Sequence, residues 1–227
     1  MGVGSRLGKA LAPYGVRIAP PQATRFVRQV LELSIDGFGR YPSAAEAGRK
    51  RLASNGGDVE RAIHGVIETH VRLAGVQGFA TNLGGVVTLA VTIPANVAGM
   101  ALLQCHMVAT IAHLRGYDLD DARVRNAVLA CMLGEDGVED LVRKKRLPSS
   151  PMGIATAPAH DAALDQRLAV EVTQELVTKV GGKRVATSVA RRVPILGGGI
   201  GAVSDAFTTW RVGRFADRSL LSRRPVR

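Results

Sequence analysis

From Leu73 to Leu114 the chain runs for 42 residues without an Asp, Glu, Lys or Arg. A stretch of this kind has to be kept from water, either as the centre of a protein core or in a bilayer. Pro94 divides it, because proline removes a helical hydrogen bond and clashes with the preceding turn. The first arm, about Gly78–Ile93, holds Gly84, Gly85 and three threonines, and the second, about Ala95–Leu114, is richer in Ala, Leu and Met. A membrane-spanning helix needs about 20 apolar residues. The second arm only reaches that length with Gln104, His106 and His113 inside it, and the first is shorter and interrupted by Asn82 and its glycine pair. Three readings follow: a two-span hairpin, a buried central hairpin wrapped by amphipathic helices, and an amphitropic hairpin that is core in solution and exposed at a membrane.

The flanking sequence supplies the wrapping helices. A first helix is expected over about Gln22–Ile35, with Phe26, Val30, Leu31 and Leu33 apolar, ending at Gly37 and Gly39. Ser43 opens a short charged helix to about Ala53. Asp58 caps a third, in which Ile63, Ile67, Val71 and Ala74 recur at helical spacing. Beyond Gly116, Leu119 and Val124 flank a start at Asp120, and that helix ends at Gly134. Glu135–Arg146 reads as a helix with acids first and a basic cluster last, in the order that suits its dipole. Pro148, Pro151 and Pro158 mark a linker. Asp161 then caps an amphipathic helix with Leu164, Leu168, Val172 and Leu176, weakened at Gly181–Gly182, and Lys183–Arg192 reads as helical too. Pro194 opens a low-charge segment, Ile195–Trp210, that passes into a basic helix. No segment alternates as a strand would, so the expected fold is all-α, a multi-helix bundle with a central apolar helical hairpin. The expected organisation is a flexible N-terminal segment at 1–20, one helical domain at 21–220 and a basic tail at 221–227.

Charge narrows the partners. The net charge is +11, distributed as +5 over residues 1–72, −5 over 116–142 and +8 over 183–227. Basic ends suit anionic lipid or simple solvation. They are not interleaved with aromatics and carry no reading motif, so nucleic acid is not expected. The two cysteines, Cys105 and Cys131, lie in apolar surroundings and argue for a reducing compartment. The start lacks a continuous apolar signal region, and Arg6 breaks a myristoylation motif. A cytoplasmic location, or the cytoplasmic face of the membrane, is expected.

Two segments carry a family likeness. One is Gly84-Gly85-Val86-Val87-Thr88-Leu89-Ala90-Val91-Thr92-Ile93-Pro94-Ala95-Asn96 with Ile111-Ala112-His113-Leu114-Arg115-Gly116-Tyr117-Asp118, and the other is Pro194-Ile195-Leu196-Gly197-Gly198-Gly199-Ile200-Gly201-Ala202-Val203-Ser204-Asp205-Ala206. Together they resemble the EcsC family of bacterial proteins, over roughly residues 58–220. The resemblance implies an α-helical protein associated with membranes or transport, and no established catalytic residues. The chain departs from the family pattern at Asn96, where Asp is common, and at His106, where Arg is frequent; Asp205 keeps the usual Asn or Asp.

Among candidate sites, His106 and His113 are seven residues apart, hence on one helix face, with Cys105 adjacent and His64 and His70 on the preceding helix. They offer a Cys–His pair or a metal site, although no zinc-type spacing occurs, so no cofactor is expected. Asp118, Asp120 and Asp121 fit a capped loop better than a calcium loop. The glycines at 197–201 lack the strand and the Gly-Lys-Ser/Thr end of a phosphate loop. Asp205, alone in an apolar segment, has to be paired, hydrogen-bonded or protonated if it is buried. The leading expectation is a non-enzymatic, membrane-associated protein contacting anionic lipid or a membrane transport partner. Its contact residues would be Val86, Leu89, Ile93, Met100, Leu103 and Met107 on the hairpin, and Arg211, Arg214 and Arg218 at the basic end. The alternatives are a hydrolase or metal-dependent enzyme built on Cys105, His106 and His113, with Asp205 a further catalytic candidate, and a soluble scaffold.

Overall fold

In a computed structural model the described residues are 20–37, 39, 41–75, 95–190 and 199–223. They form α1 (Pro20–Asp36), α2 (Ala44–Ser54), α3 (Val59–Gly75), α4 (Ala95–Leu114), α5 (Ala122–Met132), α6 (Gly134–Arg143), α7 (Pro151–Ala155), α8 (Ala162–Ala190) and α9 (Gly199–Ser219). No strand is found among these residues, and the fold is an all-α bundle. The first arm of the expected hairpin, with Val86, Leu89 and Ile93, lies outside the described residues.

The second arm is α4, and over Ala98–Ala112 it has almost no outward face. From Ala98 to Ala112 every residue except Met100 is buried. Helices α1, α2, α3, α5, α8 and α9 all pack against it. An α-helix that is apolar on every side is stable only when fully surrounded, and six neighbours provide that. Leu103 and Met107 are therefore core residues in this packing and cannot touch lipid, while Met100 is half-buried. Among the described residues no helix is long and apolar enough to cross a membrane.

The surrounding helices take their ends from local chemistry. The Ser43 hydroxyl accepts from the Glu46 amide at 3.1 Å, the Asp58 carboxylate from the Arg61 amide at 3.0 Å, and Asp161 from the Ala163 amide at 2.9 Å. The start of α5 falls one residue later than expected. Asp118 accepts the Asp120 amide at 3.0 Å in a turn, so the cap is Asp121, which accepts the Arg123 amide at 2.8 Å. The proline-rich stretch after α6 contains α7, opened by Ser150 with Pro151 at its first turn. Leu147, Pro151, Ile154 and Ala155 are buried there, and α7 packs on α5. Burial of those apolar side chains fixes what three prolines suggested was a free linker. Helix α8 runs unbroken through Gly181–Gly182, expected to weaken it, to Ala190 and takes in most of Lys183–Arg192, the segment expected to be helical. Leu33, expected on the core face of α1, is only partly buried, because the buried face is Ala23, Phe26, Val27, Val30, Leu31 and Ser34.

One polar network joins three of these elements. Arg115, just beyond α4, binds both carboxylate oxygens of Glu60 on α3 and the Asp217 carboxylate on α9 at 2.6 Å. Its carbonyl accepts the Arg223 amide at 2.8 Å. The guanidinium fork thus ties the start of α3 to the end of α9 across the end of α4.

Candidate functional site

The residues grouped by the sequence do not meet. Cys105 is wholly buried, and burial pushes its thiol up to about 12 despite an opposing hydrogen bond with Ser34. A thiol held in that state is inert as a nucleophile. His113 instead borders a surface cleft of about 590 Å³ with Asp36, Ser43, Tyr117, Asp118 and Asp120. Seven-residue spacing placed it on the His106 face, but it lies two turns further on, at the end of α4, where the helix meets the cleft instead of the core. His64 is exposed. Among the described residues no three His, Cys, Asp or Glu are arranged to hold a metal. Asp205 is half-buried on α9, so the condition of full burial does not apply to it.

His106 has a partner of a different kind. Its Nδ1 lies 3.1 Å from Nε2 of His70 on α3, and the rings are 5.3 Å apart between centroids and tilted by 29°. Nδ1 of His70 is 2.8 Å from the Val66 carbonyl, and Nε2 of His106 is 3.2 Å from the Pro42 carbonyl. The Tyr41 and His106 rings form a T-shaped pair with centroids 4.7 Å apart. The loop reaches this position because Gly37 has φ +85°; a Cβ there would come within 2.9 Å of the backbone of Tyr41, Pro42 and Ser43.

Burial makes charge costly here. It lowers His70 to about 4, with Arg51 also opposing protonation and the Val66 bond favouring it. His106 falls to about 3, through burial first and then the neighbouring His70. Burial also raises Tyr41 to about 12. The folded state therefore binds fewer protons than the unfolded chain between pH 6.5 and about 4. Stability should be full above that window and fall as the pH drops through it. Urea midpoints measured from pH 7.5 to 4.5 should decrease, and a His70→Gln variant should show a shallower decline.

A second site is on the outside of α9. Its inner face, Thr209, Val212, Gly213 and Ala216, is buried where it packs on α3, α4 and α5, and Leu220 just beyond its end is buried too. The opposite face carries Val203, Phe207 and Trp210, which are 69%, 58% and 47% exposed. These are spaced i, i+4, i+7, so they form one stripe, and Arg214 continues it at the next turn. The Phe207 and Trp210 rings stack 6.1 Å apart. Arg211 and Arg218 flank the stripe, bound to Asp136 at 2.6 Å and Glu135 at 2.8 Å, and Arg214 binds Asp217 at 3.2 Å. The sequence pointed to the three arginines and missed the apolar stripe. Its signal was available: two of the chain's nine aromatics fall on one helical row with Val203 and Arg214.

The described residues thus define a helical bundle with one fully enclosed helix, an internal histidine pair and an outward aromatic stripe. Residues 57–224 match the EcsC protein family, and the chain belongs to that family. No curated protein and no solved structure matches it.

Proposed function

We propose that this chain is a non-enzymatic peripheral membrane protein that attaches to anionic lipid through the outer face of α9. The observation that carries this reading is the exposed row Val203–Phe207–Trp210 running into Arg214. Apolar side chains on one helical row, with tryptophan at the polar end and arginines beyond, suit the boundary between acyl chains and headgroups. A fully buried side chain of this kind contributes about 1.5–3 kcal/mol, so three half-exposed ones together offer on the order of 3 kcal/mol. That alone gives weak, reversible attachment, and electrostatics has to add to it. The arginine–carboxylate pairs on this face are exposed, and such pairs contribute little, so lipid phosphates can compete for the guanidiniums. The net charge of +11 supplies the longer-range attraction. With the anionic cytoplasmic leaflet as its target, the attachment would be on the cytoplasmic face, where a membrane transport partner would also be met.

The hydrolase alternative gains no support, since Cys105, His106 and His113 face different surroundings. The membrane reading has a built-in probe, because Trp210 is the chain's only tryptophan. On vesicles of phosphatidylcholine with about one-third phosphatidylglycerol, its emission should shift to the blue and be quenched by brominated acyl chains, and the protein should float. Phe207→Ser/Trp210→Ser should reduce flotation at least tenfold, on the order of 1.4 kcal/mol or more, with an unchanged melting curve. Unshifted emission together with no flotation would sink the proposal. Leu103→Glu would be uninformative here, because it places a charge in the core.

A further inference from the structure

We propose that His70 and His106 form a single proton-binding site in which the two rings share one proton across the seam between α3 and α4. The argument is an inventory of protons. The pair makes three polar contacts: to the Val66 carbonyl, to the Pro42 carbonyl, and to each other. Each contact needs one hydrogen. Two neutral imidazoles supply only two.

Every neutral arrangement therefore leaves one contact unmade. If both carbonyls are served, His70 Nε2 and His106 Nδ1 meet lone pair to lone pair at 3.1 Å. If His106 turns its proton toward His70, the Pro42 carbonyl faces a bare nitrogen. If His70 turns its proton toward His106, the Val66 carbonyl does. The 2.8 Å contact to Val66 is the shortest of the three, which favours the Nδ1–H tautomer of His70. One added proton fills the gap between the rings and completes all three bonds. The resulting monocation is held by α3, α4 and the loop at Pro42 together.

The geometry suits a proton. Nitrogens 3.1 Å apart, on rings whose centroids are 5.3 Å apart and tilted by 29°, meet edge to edge and nearly in line. A bound metal ion would need further ligands, and Cys105 and His113 face elsewhere. Nor does a carboxylate act on either ring to balance a divalent charge: among the described residues, Arg51 of α2 is the charge felt by His70, and His70 the charge felt by His106. Arg51 is itself held by Thr69 at 2.7 Å, and the Tyr41 ring from the loop meets His106 in a T-shaped contact. Burial and Arg51 oppose the added proton, and the third hydrogen bond favours it. A second proton has no contact left to complete and sets two imidazolium rings against each other. Because burial keeps both rings below the unfolded value, the first proton already lowers stability, less than it would without the shared bond, and the second lowers it further.

The test is nitrogen-15 NMR of the full chain with labelled histidines, from pH 8 downward. At pH 8 His70 should be the Nδ1–H tautomer and His106 the Nε2–H tautomer, with both facing nitrogens unprotonated. On acidification one proton should be taken up by the two rings, and both facing nitrogens should shift together. In His106→Gln the remaining ring should take its proton about one pH unit lower, having lost the partner that shares it. Independent titration of the two rings overturns the proposal, as does a proton on either facing nitrogen at pH 8. So does stoichiometric zinc or copper in the purified protein with both nitrogens bound to it. If His106→Gln does not fold, the wild-type titration alone decides.

Discussion

Arg115→Ala lowers the stability of this protein by about 3 kcal/mol, which for a chain of this size moves the thermal midpoint by roughly 10 °C. The guanidinium is only 11% exposed and its partner Asp217 only 13%, so removing the arginine strips a mostly buried carboxylate of its shorter contact. Arg214 stays near the other oxygen of Asp217 at 3.2 Å, which limits the loss. Glu60 is 70% exposed, and its half of the fork contributes little. Glu60→Gln should therefore cost less than about 1 kcal/mol. Calorimetry on both variants checks the ranking, and an Arg115→Ala protein that melts no lower than Glu60→Gln contradicts the account of the network.

Gly213→Leu costs about 3 kcal/mol by overpacking. Gly213 lies where α9 crosses α3 and α4. A single Cβ added there would sit 3.0 and 3.1 Å from two carbons of Ile67 and 3.1 Å from the Met107 sulfur. Both neighbours are buried core residues with little room to withdraw. Gly213→Ala is expected to be much milder. It meets the same tight contact, but alanine gains about 1 kcal/mol of helix propensity over glycine, and the methionine side chain can give way. Denaturant titration of the two variants distinguishes them; equal midpoints would show that the crossing is looser than the contacts indicate.

Much of the fold was legible from charge and spacing. The absence of charge over Leu73–Leu114 marked a stretch to be kept from water but left core and bilayer both open; in its second arm Leu102, Met107 and Ile111 lie fully buried. Ser43, Asp58 and Asp161 announced their helix starts, because a capping side chain needs only its own next turn. What depended on distant contacts was not legible. Three prolines looked like a linker, but Leu147 and Ile154 are buried and α7 packs on α5. The histidine pair joins residues 36 apart, and its geometry is set by how α3 crosses α4 and by the loop that Gly37 folds back. Helical spacing instead suggested His113, which shares a row with His106 but not an environment. The stripe on α9 was written in the sequence as a period. Only the packing of the opposite face, however, shows that Val203, Phe207 and Trp210 are the side left outside.

The enclosure of α4 sets the cost of moving it. An amphitropic protein that releases a central helix into lipid has to break that helix away from everything around it. Here extraction would separate α4 from six other helices at once, leaving them without a common core. The energy required approaches that of unfolding the domain, on the order of 5–15 kcal/mol. Attachment through the stripe proposed on α9 would require no such rearrangement, and the interior would stay closed throughout.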